Sequence, residues 1–187
     1  MKYIKLKEMS PRVFLNKINE EDMKPIYSWF SDTDFLKFYD YIPPIAQTEK
    51  EVDKTFSDYK ENEESDIFAI KLIENNQTVG IAGFDDIVKE NKVATLFIGI
   101  GDKNIRGKGY GTESLNLLLE YGFNVLDFHR IQLNVLEFNK AGIALYEKSG
   151  FKKEGIFREF VLRDGKRYNL YLYGLLKREW EILQTDK

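Results

Sequence analysis

The sequence predicts an α/β (α+β) fold, a single domain whose mixed, mostly antiparallel sheet carries helices on both faces. Three features point to it. The β-type stretches Ile67–Ile73, Thr78–Phe84 and Val93–Ile100 follow one another through short connections, which favours antiparallel neighbours. The last of them leads through alternate glycines directly into a segment with helical periodicity. Near the end, Asp164-Gly165 joins two further strand-like runs and carries the signal of a hairpin turn.

The elements follow in order. A short strand around Arg12–Asn16 precedes a helix over Glu20–Phe30, in which Ile26, Trp29 and Phe30 share an apolar face. Phe35–Gln47 reads as an aromatic loop broken by Pro43-Pro44, which cannot continue a helix. Thr48 with Glu51 forms a capping box and opens a helix to about Asn62. Turn-rich Glu74–Gln77 and the charged segment Asp85–Lys92 separate the strands of the meander. Leu115, Leu118, Leu119, Phe123 and Leu126 then line one face of a helix. Ile131–Val135 is a strand, and Lys140–Ser149 a helix closed by Gly150. The final strands, Phe151–Leu162 and Arg167–Leu176, flank Arg163-Asp164-Gly165-Lys166. No repeat or low-complexity linker divides residues 1–187, so one domain is expected.

Composition removes several kinds of chemistry. With 28 basic and 31 acidic residues the net charge is −3, without the basic excess that phosphate neutralisation demands of a nucleic-acid binder. There is no cysteine, which excludes disulfides, thiolate metal sites and cysteine nucleophiles. One histidine, His129, leaves no basis for a histidine metal site, and its place between a helix and a strand suits a structural role. Met1–Lys5 has no apolar signal region, and no apolar run is long enough to span a bilayer. A cytoplasmic protein without nucleic-acid, membrane or metal partners is expected.

The informative stretch is Ile98–Thr112. The three alternate glycines of its loop, Gly107, Gly109 and Gly111, let backbone N–H groups approach a ligand without an intervening Cβ. The helix that starts there adds unpaired donors and the positive end of its dipole. Together these form an anion cradle suited to a pyrophosphate, with Arg106 and Lys108 at its rim. A nucleotide-triphosphate loop would need Ser or Thr directly after the lysine, where Gly109 stands. A dinucleotide fingerprint would need a glycine at Thr112 and a parallel βαβ unit.

The run Arg106-Gly107-Lys108-Gly109-Tyr110-Gly111 resembles the acetyl-CoA signature of the GNAT superfamily of N-acetyltransferases. Asn139-Lys140-Ala141, followed by Leu145-Tyr146 and Gly150-Phe151, resembles that family's second signature. The resemblance covers nearly the whole chain and is closest to the branch of spermidine and ribosomal-protein N-terminal acetyltransferases. It implies a GNAT-like fold and direct acetyl transfer from acetyl-CoA, without a metal, to a small or peptidyl primary amine. A backbone oxyanion donor would assist, and a homodimer is one assembly left open.

The resemblance also implies roles. Ile98, Gly99 and Ile100 would pair with the pantetheine arm, and Arg106 through Thr112, Tyr110 included, would hold the pyrophosphate. Asn139 would touch the cofactor as well as cap its helix. Tyr146 would protonate the departing thiolate, although a core tyrosine is the plainer reading of a Leu-Tyr pair. The strand Val93–Gly101 lacks the carboxylate that some family members place there. Asp85 and Asp86 are therefore the nearest candidates for a base or for recruiting a cationic amine, against a default reading as a solvated turn. The aromatic segment with Tyr39 and Tyr41 lies where the family builds its acceptor wall. The rival functions are a non-catalytic acyl-CoA-binding or sensor module on the same fold and, more distantly, a nucleotide-triphosphate hydrolase.

Overall fold

In the computed structural model, residues 11–185 are described; the amino-terminal stretch Met1–Lys5, read above for a targeting signal, lies outside them. Seven strands form one sheet: β1 (Val13–Lys17), β2 (Asp66–Leu72), β3 (Thr78–Val88), β4 (Val93–Ile100), β5 (Arg130–Leu136), β6 (Lys152–Arg163) and β7 (Lys166–Leu176). Their spatial order is β1-β2-β3-β4-β5-β7-β6. All neighbours are antiparallel except β4 and β5, which are parallel and pair only over Val93–Thr95 and Arg130–Gln132. Beyond Thr95 and Gln132 the two strands part.

Six helices cover the sheet: α1 (Glu20–Phe30), α2 (Thr33–Tyr39), α3 (Glu49–Glu61), α4 (Tyr110–Glu120), α5 (Lys140–Lys148) and α6 (Lys177–Thr185). The two-residue period of the strands divides the core. Phe68 and Ile70 of β2, with Phe84 and Leu96, meet Leu115, Leu118 and Phe123 on the α4 face. Ile67, Ala69 and Ile81 point the other way, against Ile26, Phe30 and Phe56 of α1 and α3. The predicted capping box at Thr48 is present, with Glu51 accepting from the Thr48 N–H at 2.8 Å. At the hairpin, Asp164 and Gly165 both take positive φ, 50° and 75°, the paired left-handed turn expected of Asp-Gly.

Three elements differ from the sequence reading. The aromatic loop begins at Asp40, because Thr33–Tyr39 is helical; Asp32 caps it, and Phe35 and Tyr39 stack at 5.0 Å on its inner face. The segment after Phe84 is not a simple turn, since β3 continues to Val88 through a bulge at which Asp86 has φ 48°. The last helix, α6, follows directly on β7; its Trp180 docks on Phe123 of a π-helical turn after α4, with ring centroids 5.2 Å apart.

A buried ion pair ties α1 to the sheet. Asp22 and Lys71 meet at 2.8 Å with side chains 0% and 3% exposed, and Thr78 Oγ1 donates to the same carboxylate. Burial alone would raise the Asp22 pKa. The hydrogen bonds from Lys71, Thr78 and the Asn19 N–H outweigh it and hold the carboxyl below its ordinary value. The stability this contributes is present at neutral pH and drains away as the pH falls through that lowered value. Asp22→Ala strands the ammonium of Lys71 in the core, so denaturant unfolding should show a loss of about 3–5 kcal/mol. A loss below about 1 kcal/mol, the scale of an exposed pair, would contradict this account.

Candidate active site

The parting of β4 and β5 opens a cleft of about 780 Å³. One wall is the end of β4, the other is α5, and the loop leading into α4 closes the far end.

Gly107 and Gly109 have φ of 74° and 90°, a conformation that costs a residue with a Cβ roughly 1–2 kcal/mol. These turns direct the chain into α4. Among the described residues, the N–H groups of Gly107, Gly109, Tyr110, Gly111 and Thr112 have no protein acceptor. This is the anion cradle read from the glycine spacing.

Its supports are side chains. Arg106 donates to the carbonyls of Ile100 and Gly101 at 2.9 and 3.1 Å, closing the loop onto the end of β4. It is thus a staple as well as a rim charge. Arg12, distant in sequence, donates to the Lys108 carbonyl at 3.0 Å, pairs with Glu113 and lies 4.2 Å over the Tyr110 ring. Lys108 and Tyr110 therefore do not line the cleft: the first is an exposed side chain, the second a platform for Arg12. Gly101 is needed at the end of β4 because any Cβ there would overlap the Trp29 indole.

Deeper in, Ile98, Gly99 and Ile100 border the cleft on the side where β4 has no strand partner. The ring of Tyr39 covers Gly99, with Phe35 behind it. Asn139 caps α5 by accepting from the Gly142 N–H at 2.9 Å, and its amide donates across the cleft to the Phe38 carbonyl at 3.2 Å. The cap reading is borne out, and the same side chain borders the cleft.

Tyr146 lines the cleft from α5 with only 8% of its surface exposed, its ring edge-on to Phe151. Burial pushes its hydroxyl up to about 12, so it carries its proton throughout the physiological range. Among the described residues that hydroxyl has no hydrogen-bond partner. It is both a core ring and a free donor.

The acceptor candidates separate. Asp85 pairs in register with Thr95, on the face of the sheet that carries Phe97 and the α1–α3 helices. It is half-buried, so the solvated-turn reading does not hold for it. Burial first, and then the carboxylates of Asp86 and Asp40, push its pKa up to about 6. Asp86 is exposed at the bulge. Tyr41 stands outside the cleft with its ring against Phe160. Arg163 fixes that segment by donating to the carbonyls of Asp40, Tyr41 and Ile42. His129 is exposed, and its backbone joins Lys92 to Lys177 away from the cleft. Among the described residues no cluster of His, Asp or Glu could hold a metal ion.

The raised pKa of Asp85 has a measurable cost. Folded protein holds this proton more tightly than the unfolded chain, so the contribution is stabilising at low pH and is lost as the pH rises to about 6. Asp85→Asn should raise the Tm by roughly 2–4 °C at about pH 7.5 and by much less at about pH 4. An equal shift at both pH values, or a lower Tm at neutral pH, would show that the carboxylate is not strained by its surroundings.

Comparison with known proteins agrees with this geometry. The family model described as an acetyltransferase (GNAT) domain matches residues 12–152. The uncharacterized N-acetyltransferase p20 of Bacillus licheniformis is 29% identical over 171 residues, covering 90% of this chain and 95% of that protein. The ribosomal protein uS5-alanine N-acetyltransferase of Escherichia coli (strain K12) is 31% identical over 108 residues, 57% of this chain and 55% of that one. Spermidine N-acetyltransferase from Vibrio cholerae, solved in complex with CoA and spermine, shares the fold with a TM-score of 0.84 at 20% identity, over 92% of this chain and 99% of its own. A family match across the cradle, the open edge of β4 and the helix of Tyr146 leads to one conclusion: the chain belongs to the GNAT acetyltransferases, enzymes that use acetyl-CoA.

Proposed function

We propose that this chain transfers the acetyl group of acetyl-CoA to a primary amine that arrives as a cation, with Tyr146 as the proton donor to the departing sulfur. The observation that carries the reading is Tyr146, a nearly buried residue with its proton in place and its hydroxyl unpartnered among the described residues, lining the same cleft as the strand edge where the pantetheine arm would lie. Acetyl-CoA supplies the activated acetyl group. The chain supplies binding, orientation and the proton.

The five open N–H groups of the cradle suit the pyrophosphate, and the unpartnered edge of β4 suits the amides of the pantetheine arm. Rigid placement of the thioester then supplies much of the acceleration by proximity. The acceptor enters from the α2 side, past Tyr39 and Phe38, toward the face that carries Asp85. The names of the relatives and structural neighbours include both a polyamine, spermidine, and an alanine of ribosomal protein uS5 as acceptors. Both are primary amines, cationic at neutral pH. A non-catalytic sensor would have no use for a protonated phenol held free of partners at this place, so the catalytic reading is preferred.

Tyr146→Phe tests the reading. The ring and its packing on Phe151 remain, and no partnered hydrogen bond is lost, so the Tm should fall by less than about 1 kcal/mol would cause. Turnover, followed as CoA thiol release with spermidine or an alanine-led peptide, should drop roughly 10²-fold. CoA affinity by calorimetry should stay within about twofold, because the hydroxyl acts as the C–S bond breaks. Full turnover in the folded Phe variant would make Tyr146 a core residue only.

A further inference from the structure

Acetyl transfer to a cationic amine needs a group that receives the amine's proton, and the phenol of Tyr146 begins with its own proton in place. The cleft wall formed by β4 offers no carboxylate. The opposite face of the sheet does.

We propose that Asp85 receives the acceptor's ammonium beneath Tyr39 and Tyr59 and takes up the proton it sheds before attack. This rests on the acetyl-transfer reading and assigns it a second residue.

Position is the first support. Asp85 lies across from Thr95, and Thr95 is the last residue of β4 to pair with β5, through Gln132. Asp85 thus sits beside the point where the two strands begin to part. Gly83 and Phe97, and beyond them Ile81 and Gly99, continue the same face toward the mouth beneath Tyr39.

The second support is an unmet polar atom. Asp85 Oδ1 is fully buried and has no hydrogen-bond partner, and among the described residues no cation pairs with this carboxylate. A buried acceptor of this kind is costly to leave unmade. The fully buried carboxylate of Asp22 receives Lys71, Thr78 and a backbone N–H. What Asp22 obtains from the chain, Asp85 lacks, and an ammonium would supply it.

The third support is the surroundings. Tyr39 from α2 and Tyr59 from α3 lie over this region with their hydroxyls pushed upward, Tyr59 to about 12, by burial and by Asp85 and Asp40. Tyr39 also lines the cleft with Tyr146 and covers Gly99, two register positions beyond Phe97 on the face that carries Asp85. Aromatic faces and carboxylates without a protein counter-ion are the chemistry that binds a primary ammonium. From β4 and β5 the neighbours are Thr95 and Gln132, which carry no charge. The titratable groups that bear on Asp85 are Asp86 on its own strand, Asp40 after α2, and the two tyrosines.

The proton count closes. The ammonium gives one proton to the Asp85 carboxylate and becomes a neutral amine. Its lone pair forms the N–C bond as the C–S bond breaks, and the sulfur leaves with the bonding pair and takes the Tyr146 proton. The nitrogen's second proton passes through solvent to the Tyr146 phenolate, and Asp85 discharges to solvent. With its carboxyl titrating at about 6, Asp85 is ionised and ready at neutral pH, and acceptor kcat/KM should fall as the pH drops through that value.

The test combines carboxyl NMR on ¹³C-aspartate-labelled protein with thiol-release kinetics, using the full chain with CoA, and with spermidine and an alanine-led pentapeptide as probes. One carboxyl resonance, absent from Asp85→Asn, should titrate near 6 and move to a lower midpoint when either probe is added. Asp85→Asn should lower acceptor kcat/KM roughly 10²-fold at neutral pH and leave CoA affinity within about twofold. Asp86→Asn should shift the acidic limb to lower pH and keep the plateau, since it removes a like charge from Asp85. An Asp85 resonance that neither probe moves, or undiminished kcat/KM in a folded Asp85→Asn protein, overturns the proposal. Absence of thiol release from the wild type would instead sink acetyl transfer itself, and the proton-uptake role with it. A resonance that still moved would then retain only the ammonium contact.

Discussion

The parting of β4 from β5 after three residue pairs is the constraint on which the rest of the molecule depends. Each strand is held on its outer side, β4 by β3 as far as Ile100 and β5 by β7 as far as Leu136. Neither can turn back toward the other without breaking a ladder. The free edge of β4 therefore presents backbone donors and acceptors to a cleft rather than to a strand, and such groups require partners. Arg106 and Gly101 fix one end of that edge, the first by binding its carbonyls and the second by fitting under Trp29. The cradle at Gly107–Thr112 follows at once, so the anion site and the strand edge form one continuous surface.

Burial without compensation does the chemical tuning. Burial bears on both Asp22 and Asp85, fully on the first and partly on the second, yet their pKa values move in opposite directions. Asp22 is surrounded by donors, which favour the charged form. Asp85 is surrounded by carboxylates and phenols, which do not. The first arrangement secures α1 to the sheet, while the second leaves a carboxyl titrating at about 6 on the sheet face that carries Phe97. Tyr146 follows the same rule, since burial keeps its proton in place.

Much of this was legible in the sequence because local rules and tertiary structure agree. Thr48 with Glu51, Asp164-Gly165 and the alternate glycines each act within a few residues, and each is found as read. The helix of Phe35 and Tyr39 was obscured by its aromatic content and short length, although Asp32 ahead of it was a cap signal. The strand β3 hides its continuation because a bulge interrupts the alternation at Asp85–Val88. Other features leave no local trace. Arg12 reaches the Lys108 carbonyl across 96 positions of sequence and Glu113 across 101, and the burial of Lys71 against Asp22 joins separate elements. Likewise, the difference between Asp85 and Asp86 is one of environment, and two adjacent letters cannot show it.

The central claim is that the unpaired edge of β4 and the cradle beyond it form a single binding surface for the acyl donor. Backbone hydrogen exchange with and without CoA tests this most directly. The account predicts that CoA slows exchange together at Leu96–Ile100, where β4 has no partner on its β5 side, and at the open amides of Gly107–Thr112, and leaves the β6–β7 hairpin unchanged. Protection confined to other parts of the sheet, with β4 exchanging as before, would contradict it.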